Sequence, residues 1–316
     1  MKARILSVLF LLTLASQTTT RAGVLPPDAV VADRTIAEWS VEWWKWIFSI
    51  PVGQHPIFDT NGSRAQVGQP GGAVFFLAGL ISPESGLATR RFEVPEDKYL
   101  FFPMLNSWVD NVFVIPPLTV EQMREQNAAF IALISELHVR IDGVAVTNLF
   151  AHRAVAPVFS FEYTFPDSLE SYLAGTPILG LVDPIVSDGY WLMVEPLPPG
   201  EHVINFGGTF GPPVNFTLDI TDHITVVAVP LTQRMDELMA KVAAANLAPN
   251  RVQPLRASLE AARASFDRDN LQASVNQLRA FQHKVRAQVE GSDPALAREL
   301  IQSAERIIER ATRQRQ

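Results

Sequence analysis

Between residues 33 and 230 the apolar positions fall in short runs separated by turn-forming residues; from residue 231 onward they recur at helical spacing. The runs AVFFLAGL (73–80), RFEV (91–94), KYLFFPML (98–105), NVFVI (111–115), VFSFEYTF (158–165), YWLMVEPL (190–197), HVINFGG (202–208), NFTLDI (215–220) and HITVVAVP (223–230) are rich in Phe and β-branched residues. They predict strands. LHVRIDGVAV (137–146) predicts a strand pair about Asp142-Gly143. Two helices interrupt the series. Asp33 can cap the first, which runs to about Ser49 and is stopped by Pro51. Thr119 and Gln122 form a capping box for the second, which runs to about Leu137. Many short strands with few helices predict a mainly antiparallel β-sandwich, jelly-roll-like, over residues 23–230. After Pro230, Leu271, Val275, Leu278, Phe281 and Val285 keep one helical stripe, and Asn250, Asp269 and Ser292-Asp293-Pro294 suit helix starts. Residues 231–316 therefore read as a small helical bundle, and the whole chain as an α+β multidomain protein.

The first helix carries Trp39, Trp43, Trp44 and Trp46, four of the chain's six tryptophans. Ile36, Trp39, Trp43, Trp46, Ile47 and Ile50 share one stripe, widened by Val41, Trp44 and Phe48. Only Glu38, Glu42 and Lys45 occupy the remaining face. A helix this apolar is a buried one. One tryptophan can bury about 200 Å², worth at most about 5 kcal/mol. Four wet indoles would forfeit that and leave an adhesive patch. The cluster is expected to be a core plug. Trp44, off the main stripe, is the position expected to be partly exposed and to wall a ligand site. Glu38 and Glu42 oppose a membrane-foot reading.

Composition narrows the function. Lys2 and Arg4 precede an apolar run, Ile5–Ala15, and small residues suit cleavage after Ala15 or Ala22. Residues 1–22 therefore read as a secretory signal peptide, and the mature protein as secreted or periplasmic. No later stretch is long and apolar enough to be a transmembrane helix. The absence of cysteine excludes thiol catalysis and Cys-based zinc sites. Residues 23–229 hold 9 basic and 23 acidic side chains, a net charge of −14; residues 230–316 hold 14 and 10, a net of +4. An acidic body argues against nucleic acid as a partner.

The stretches WSVEWWKWIFSIP, DTNG, VGQPGGAVFFLAG and VPEDKYLFFPMLN, within residues 39–106, resemble a family of exported bacterial proteins of unknown function. That family shares a WWKW-type helix and VFFLAG and LFFP strands. Members with cysteines before the two strand motifs imply a bridge there; this chain has Ala65 and Phe92 near those places, so the bridge is absent. LEAARASFDRDNLQASVNQLRAFQHKV and LIQSAERII, within residues 246–310, resemble FIMAH/FIVAR-like helical modules. Those modules imply an attachment or spacer role and no catalysis.

Catalytic motifs are missing. None of His55, His138, His152, His202, His223 and His283 forms HExxH, and GxSxG, a P-loop and GxGxxG are not found. No metal site or cofactor is expected. Two places combine polar tips with rings: the turn-rich loop with His55 and Asp59, and the segment with Asn106, Trp108, Asp110 and Asn111. Loops gather binding residues, and a ring beside carboxyl and amide groups suits a sugar. With Trp44 these are the candidate ligand-binding residues; turn chemistry is the competing explanation for the Asp and Asn positions. Glu93, Glu162 and Glu195 lie on or beside strands as acids for a glycan-active enzyme. The expected function is a non-catalytic exported protein that binds a polysaccharide or another cell-envelope component, with the helical module as attachment. The alternative is a secreted hydrolase, glycan-active or metal-assisted, with its site in the sandwich concavity.

Overall fold

The computed structural model of the protein describes residues 23–81 and 86–313. The signal peptide expected at residues 1–22 lies outside them. In chain order the first unit contains β1 (Val30–Val31), β2 (Arg34–Thr35), α1 (Ile36–Phe48), β3 (Val74–Phe76), β4 (Leu87–Pro95) and β5 (Tyr99–Val109). There follow α2 (Val120–Ile131), β6 (Ile134–Ile141), β7 (Val144–Ala145), β8 (Arg153–Val155), β9 (Phe159–Tyr163) and α3 (Leu169–Ala174). It closes with β10 (Gly180–Val194), β11 (Gly200–Phe210) and β12 (Phe216–Val227).

The strands make two five-stranded sheets. In the first the order is β3-β5-β10-β8, with β9 continuing beside β10; in the second it is β4-β12-β11-β6-β7. Pairing is mainly antiparallel, but an edge pair in each sheet, β3 with β5 and β4 with β12, is parallel. Inward residues of both sheets share one core, in which Phe102 of β5 meets Phe206 of β11 at 4.5 Å between ring centres. The opposite face of the first sheet meets α1. Along β10, Tyr190, Leu192 and Val194 enter the core between the sheets while Trp191 and Met193 enter the core under α1. A strand covered on both faces loses its apolar–polar alternation. That is why YWLMV and LFFPML are unbroken apolar runs.

The tryptophans of α1 are buried, and each indole N–H has an acceptor. Trp39 donates to Val31 O at 2.9 Å, Trp43 to Leu77 O at 2.9 Å, Trp44 to Ser187 Oγ at 2.6 Å and Trp46 to Val67 O at 3.0 Å. Buried indoles need such a partner. The expected partial exposure of Trp44 is not found: it is 2% exposed. Position off the stripe did not free it, because Trp108 packs on it at 4.7 Å and covers that side.

Further expectations change, among them the end of α2, which stops at Ile131 and not near Leu137 because β6 begins at Ile134. Asp33 does not cap α1; with Ala32 it occupies positive φ in the turn between β1 and β2, and Thr35 caps the helix in a capping box with Glu38. NVFVI is a loop: Asp110 accepts from the Val112 N–H, and Asn111 brackets Leu118 beyond the segment. NFTLDI and HITVVAVP are one strand, β12, because Thr221-Asp222 continues the ladder instead of turning. The capping box of α2 at Thr119 and Gln122 and the turn at Asp142-Gly143 form as expected.

The second compact unit begins at Ala228, three residues before the expected boundary. It holds α4 (Leu231–Ala244), α5 (Pro249–Phe266), α6 (Leu271–Gln288) and α7 (Pro294–Arg313). Asn270 caps α6 through Ala273 N, and Asp293 accepts from Leu296 N at the start of α7. Val275, Leu278, Phe281 and Val285 are buried in a shared core with residues of the other three helices.

Candidate functional site

The end of β5 carries the residues that come together. Trp108 is half-buried, lying on Trp44 at 4.7 Å and on Phe48 at 5.6 Å. Its indole N–H donates to Asp110 Oδ2 at 3.1 Å, and Asp110 Oδ1 accepts from Val112 N at 2.8 Å. Asn111 then brackets the loop: its Nδ2 donates to Leu118 O at 3.0 Å and its Oδ1 accepts from Leu118 N at 2.8 Å. With both amide atoms engaged at Leu118, Asn111 shapes the loop. The loop it shapes holds Phe113 at φ 61°. A bulky residue at positive φ is strained, and such strain persists where surrounding structure fixes it. Phe113 is 68% exposed and Ile115 is 93% exposed.

A second carboxyl reaches this place from α3. Ser168 caps that short helix through Ser171 N, which sets Glu170 in its first turn. Glu170 is 8% exposed, and its Oε2 has no hydrogen-bond partner. Burial, and then the nearby Asp110 charge, push its carboxyl up to about 7, while the Trp108 indole N–H pulls it down. Tyr163 of β9 is 2% exposed. Burial first, then Glu170 and Asp110, raise its hydroxyl above the usual phenol range. Trp108, Asp110, Glu170 and Tyr163 therefore act on one another electrically. A buried carboxyl whose proton is held up to about neutral pH, beside a second carboxyl, is an arrangement general acid–base chemistry uses.

His55 and Asp59 belong elsewhere and are scaffolding. His55 is 0% exposed, with Nε2 2.8 Å from Ile47 O and Nδ1 accepting from Ile57 N at 3.1 Å. Burial pushes its ring down to about 4, so it stays neutral and ties the end of α1 to the next turn. Asp59 accepts from the backbone N–H groups of Asn61, Gly62 and Arg64. That is turn chemistry. Asn106 sits half-buried on β5 opposite Gly189, whose missing side chain leaves it room: a Cβ there would lie 2.5 Å from Asn106 Cβ.

Two cavities lie elsewhere on the first unit. One, of about 10 Å³, lies beside Asp59, Arg90 and Asp222 and is too small for a sugar. There Arg90 donates to Ala78 O and Gly79 O, and burial pushes the fully enclosed Asp222 up to about 7. The other, an open groove of about 410 Å³, runs along Arg34, Glu38, Glu42, Lys45 and Val158. Its charges satisfy one another: Glu38 closes the capping box, Glu42 and Lys45 pair at 3.5 Å, and Arg34 lies over Trp39 at 5.3 Å. It is a solvated helix face. Among the described residues no group of three His, Asp or Glu could hold a metal ion, and no helix is long and apolar enough to cross a membrane.

No family model matches the chain, and no curated protein does. Among solved structures, the cysteine protease inhibitor EhICP2 from Entamoeba histolytica is similar at 7% identity, covering 46% of this chain and 100% of that one, with a TM-score of 0.17. At that score the likeness carries no argument about this protein.

Proposed function

We propose that the chain is an exported, non-catalytic binding protein. Its two sheets form a jelly-roll-like β-sandwich, and it recognises a polysaccharide or another cell-envelope component at the end of β5. The helical unit serves as attachment or spacer. The observation that carries the reading is Phe113, an aromatic ring held out at positive φ by the Asn111 bracket, with Ile115 beside it and the half-buried Trp108 and Asp110 at the loop's base. Exposed rings stack on sugar faces, and Asp110 can accept from hydroxyls. Affinity in the micromolar to millimolar range, about 4–8 kcal/mol, is expected from so small a surface. Retention on insoluble glycans tests it. Phe113→Ala and Ile115→Ser should abolish retention and leave the unfolding temperature unchanged, because neither side chain is part of the core. Retention equal to wild type would place binding elsewhere.

The hydrolase reading is favoured by one observation, the raised Glu170 beside Asp110. In that reading Glu170 donates the proton and Asp110 is the second carboxyl. Product release from a polymer, lost in Glu170→Gln, would replace binding by turnover.

A further inference from the structure

The first described residues are stitched to the end of β10. Val24 bridges Val194, Leu25 N–H donates to Met193 O at 2.9 Å, and Glu195 N–H donates to Gly23 O at 2.8 Å. The Glu195 carboxyl folds over Gly23: a Cβ built there would lie 2.2 Å from its Oε2 and 2.7 Å from its Cδ. The contact is with the far end of an exposed side chain, which can swing aside for a larger residue; what it places is a carboxylate next to the Gly23 backbone, whose nitrogen is one bond, about 1.46 Å, from the covered Cα. In an uncut chain that nitrogen is a neutral amide. No hydrogen bond or ion pair from another described side chain engages the Glu195 carboxylate, and Glu195 is exposed.

The sequence ahead of Gly23 has the matching form. The apolar run ends at Ala15, the polar residues Ser16–Thr20 follow, and Thr20 and Ala22 put small side chains at the third and first places before Gly23. Small residues there are what a leader peptidase accepts. A cut after Ala15 would instead leave seven residues, including the cationic Arg21, in front of the stitched strand.

We propose that a leader peptidase cuts the chain between Ala22 and Gly23, and that the freed α-ammonium of Gly23 pairs with Glu195. Water adds to the Ala22 carbonyl carbon and the Ala22–Gly23 C–N bond breaks. Ala22 leaves as a carboxylate, and the Gly23 nitrogen, which already carries one hydrogen, takes up both protons of the water and becomes the ammonium. The product places a cation where the intact chain has a neutral amide, beside a carboxylate already in position. The inference rests on the export reading and chooses one of its two cleavage points.

The test expresses the full chain in an exporting bacterium and determines the mass and N-terminal sequence of the released protein. A start at Gly23 is expected. A start at Ser16 overturns the cut site and leaves export standing; retention of Met1 overturns both. The pairing is read separately on the mature protein with an amine-acylating reagent near pH 7.5, close to the ordinary α-amino pKa of about 7.7–8.0. A neighbouring carboxylate raises that pKa, so the wild-type N-terminus should react about two- to fivefold more slowly than that of Glu195→Gln. Equal rates would overturn the pairing.

Discussion

Each indole of α1 meets two requirements at once: its ring fills a core and its single donor finds an oxygen. Trp44 shows the coupling best, since its N–H reaches Ser187 Oγ at 2.6 Å while its ring lies against Phe48 and Trp108. Removing the ring and removing the acceptor are therefore separable experiments. Trp44→Ala should cost about 3–5 kcal/mol, as large aromatic-to-alanine changes in cores do, and as much as Trp43→Ala. Ser187→Ala keeps the ring but strands a buried donor, at about 1–3 kcal/mol. Denaturant unfolding checks both. If the two Trp→Ala proteins stayed within about 0.5 kcal/mol of wild type, the helix would not be a core plug.

At the scale of elements, α3 is sensitive to pH, because it carries Glu170 into an enclosed place. Burial raises the folded-state pKa of Glu170 to about 7 from the ordinary carboxyl value of 4.5. Between those values the folded state holds a proton that the unfolded chain releases, so stability falls as pH rises from about 4.5 to about 7 and is level above. At about 1.4 kcal/mol per unit, the loss across that window is about 3 kcal/mol. Thermal unfolding of Glu170→Gln should lack this component; an unchanged pH profile would show that Glu170 is not the group responsible. Little of this was legible in the sequence. Six helical residues are too few to make a periodic pattern, and Glu170 lies far along the chain from Trp108 and Asp110, so only tertiary folding joins them. What was legible was local. Thr119 and Gln122 sit at capping-box spacing, Asp142-Gly143 marks its turn, and Trp108 and Asp110 are near neighbours. Asp222 misled for the opposite reason: in a strand whose alternate residues face the core, a buried carboxyl near Arg90 looks like a turn residue.

The molecule as a whole is two compact units of opposite charge, and the change of apolar period at Pro230 located their division to within three residues. The helical unit has its own core, from Met235 to Ala311, and should fold when made alone from residue 228. Its small size makes it marginal. Circular dichroism of the isolated piece should be mainly helical in the cold; a β-type or featureless spectrum would refute independence. The parallel edge pairs were not legible, because pairing direction leaves no trace in an apolar run.

The burial of α1 has a consequence in time. The acceptor of Trp44 lies 143 residues further along the chain. At about 5–20 residues per second, that distance is about 10–30 seconds of synthesis. For that interval the most apolar helix of the first unit exists without the strand that shelters it. Whatever escorts the nascent chain must shield α1 until β10 has arrived, and a pause in translation before Ser187 would lengthen the dangerous interval more than the same pause after it.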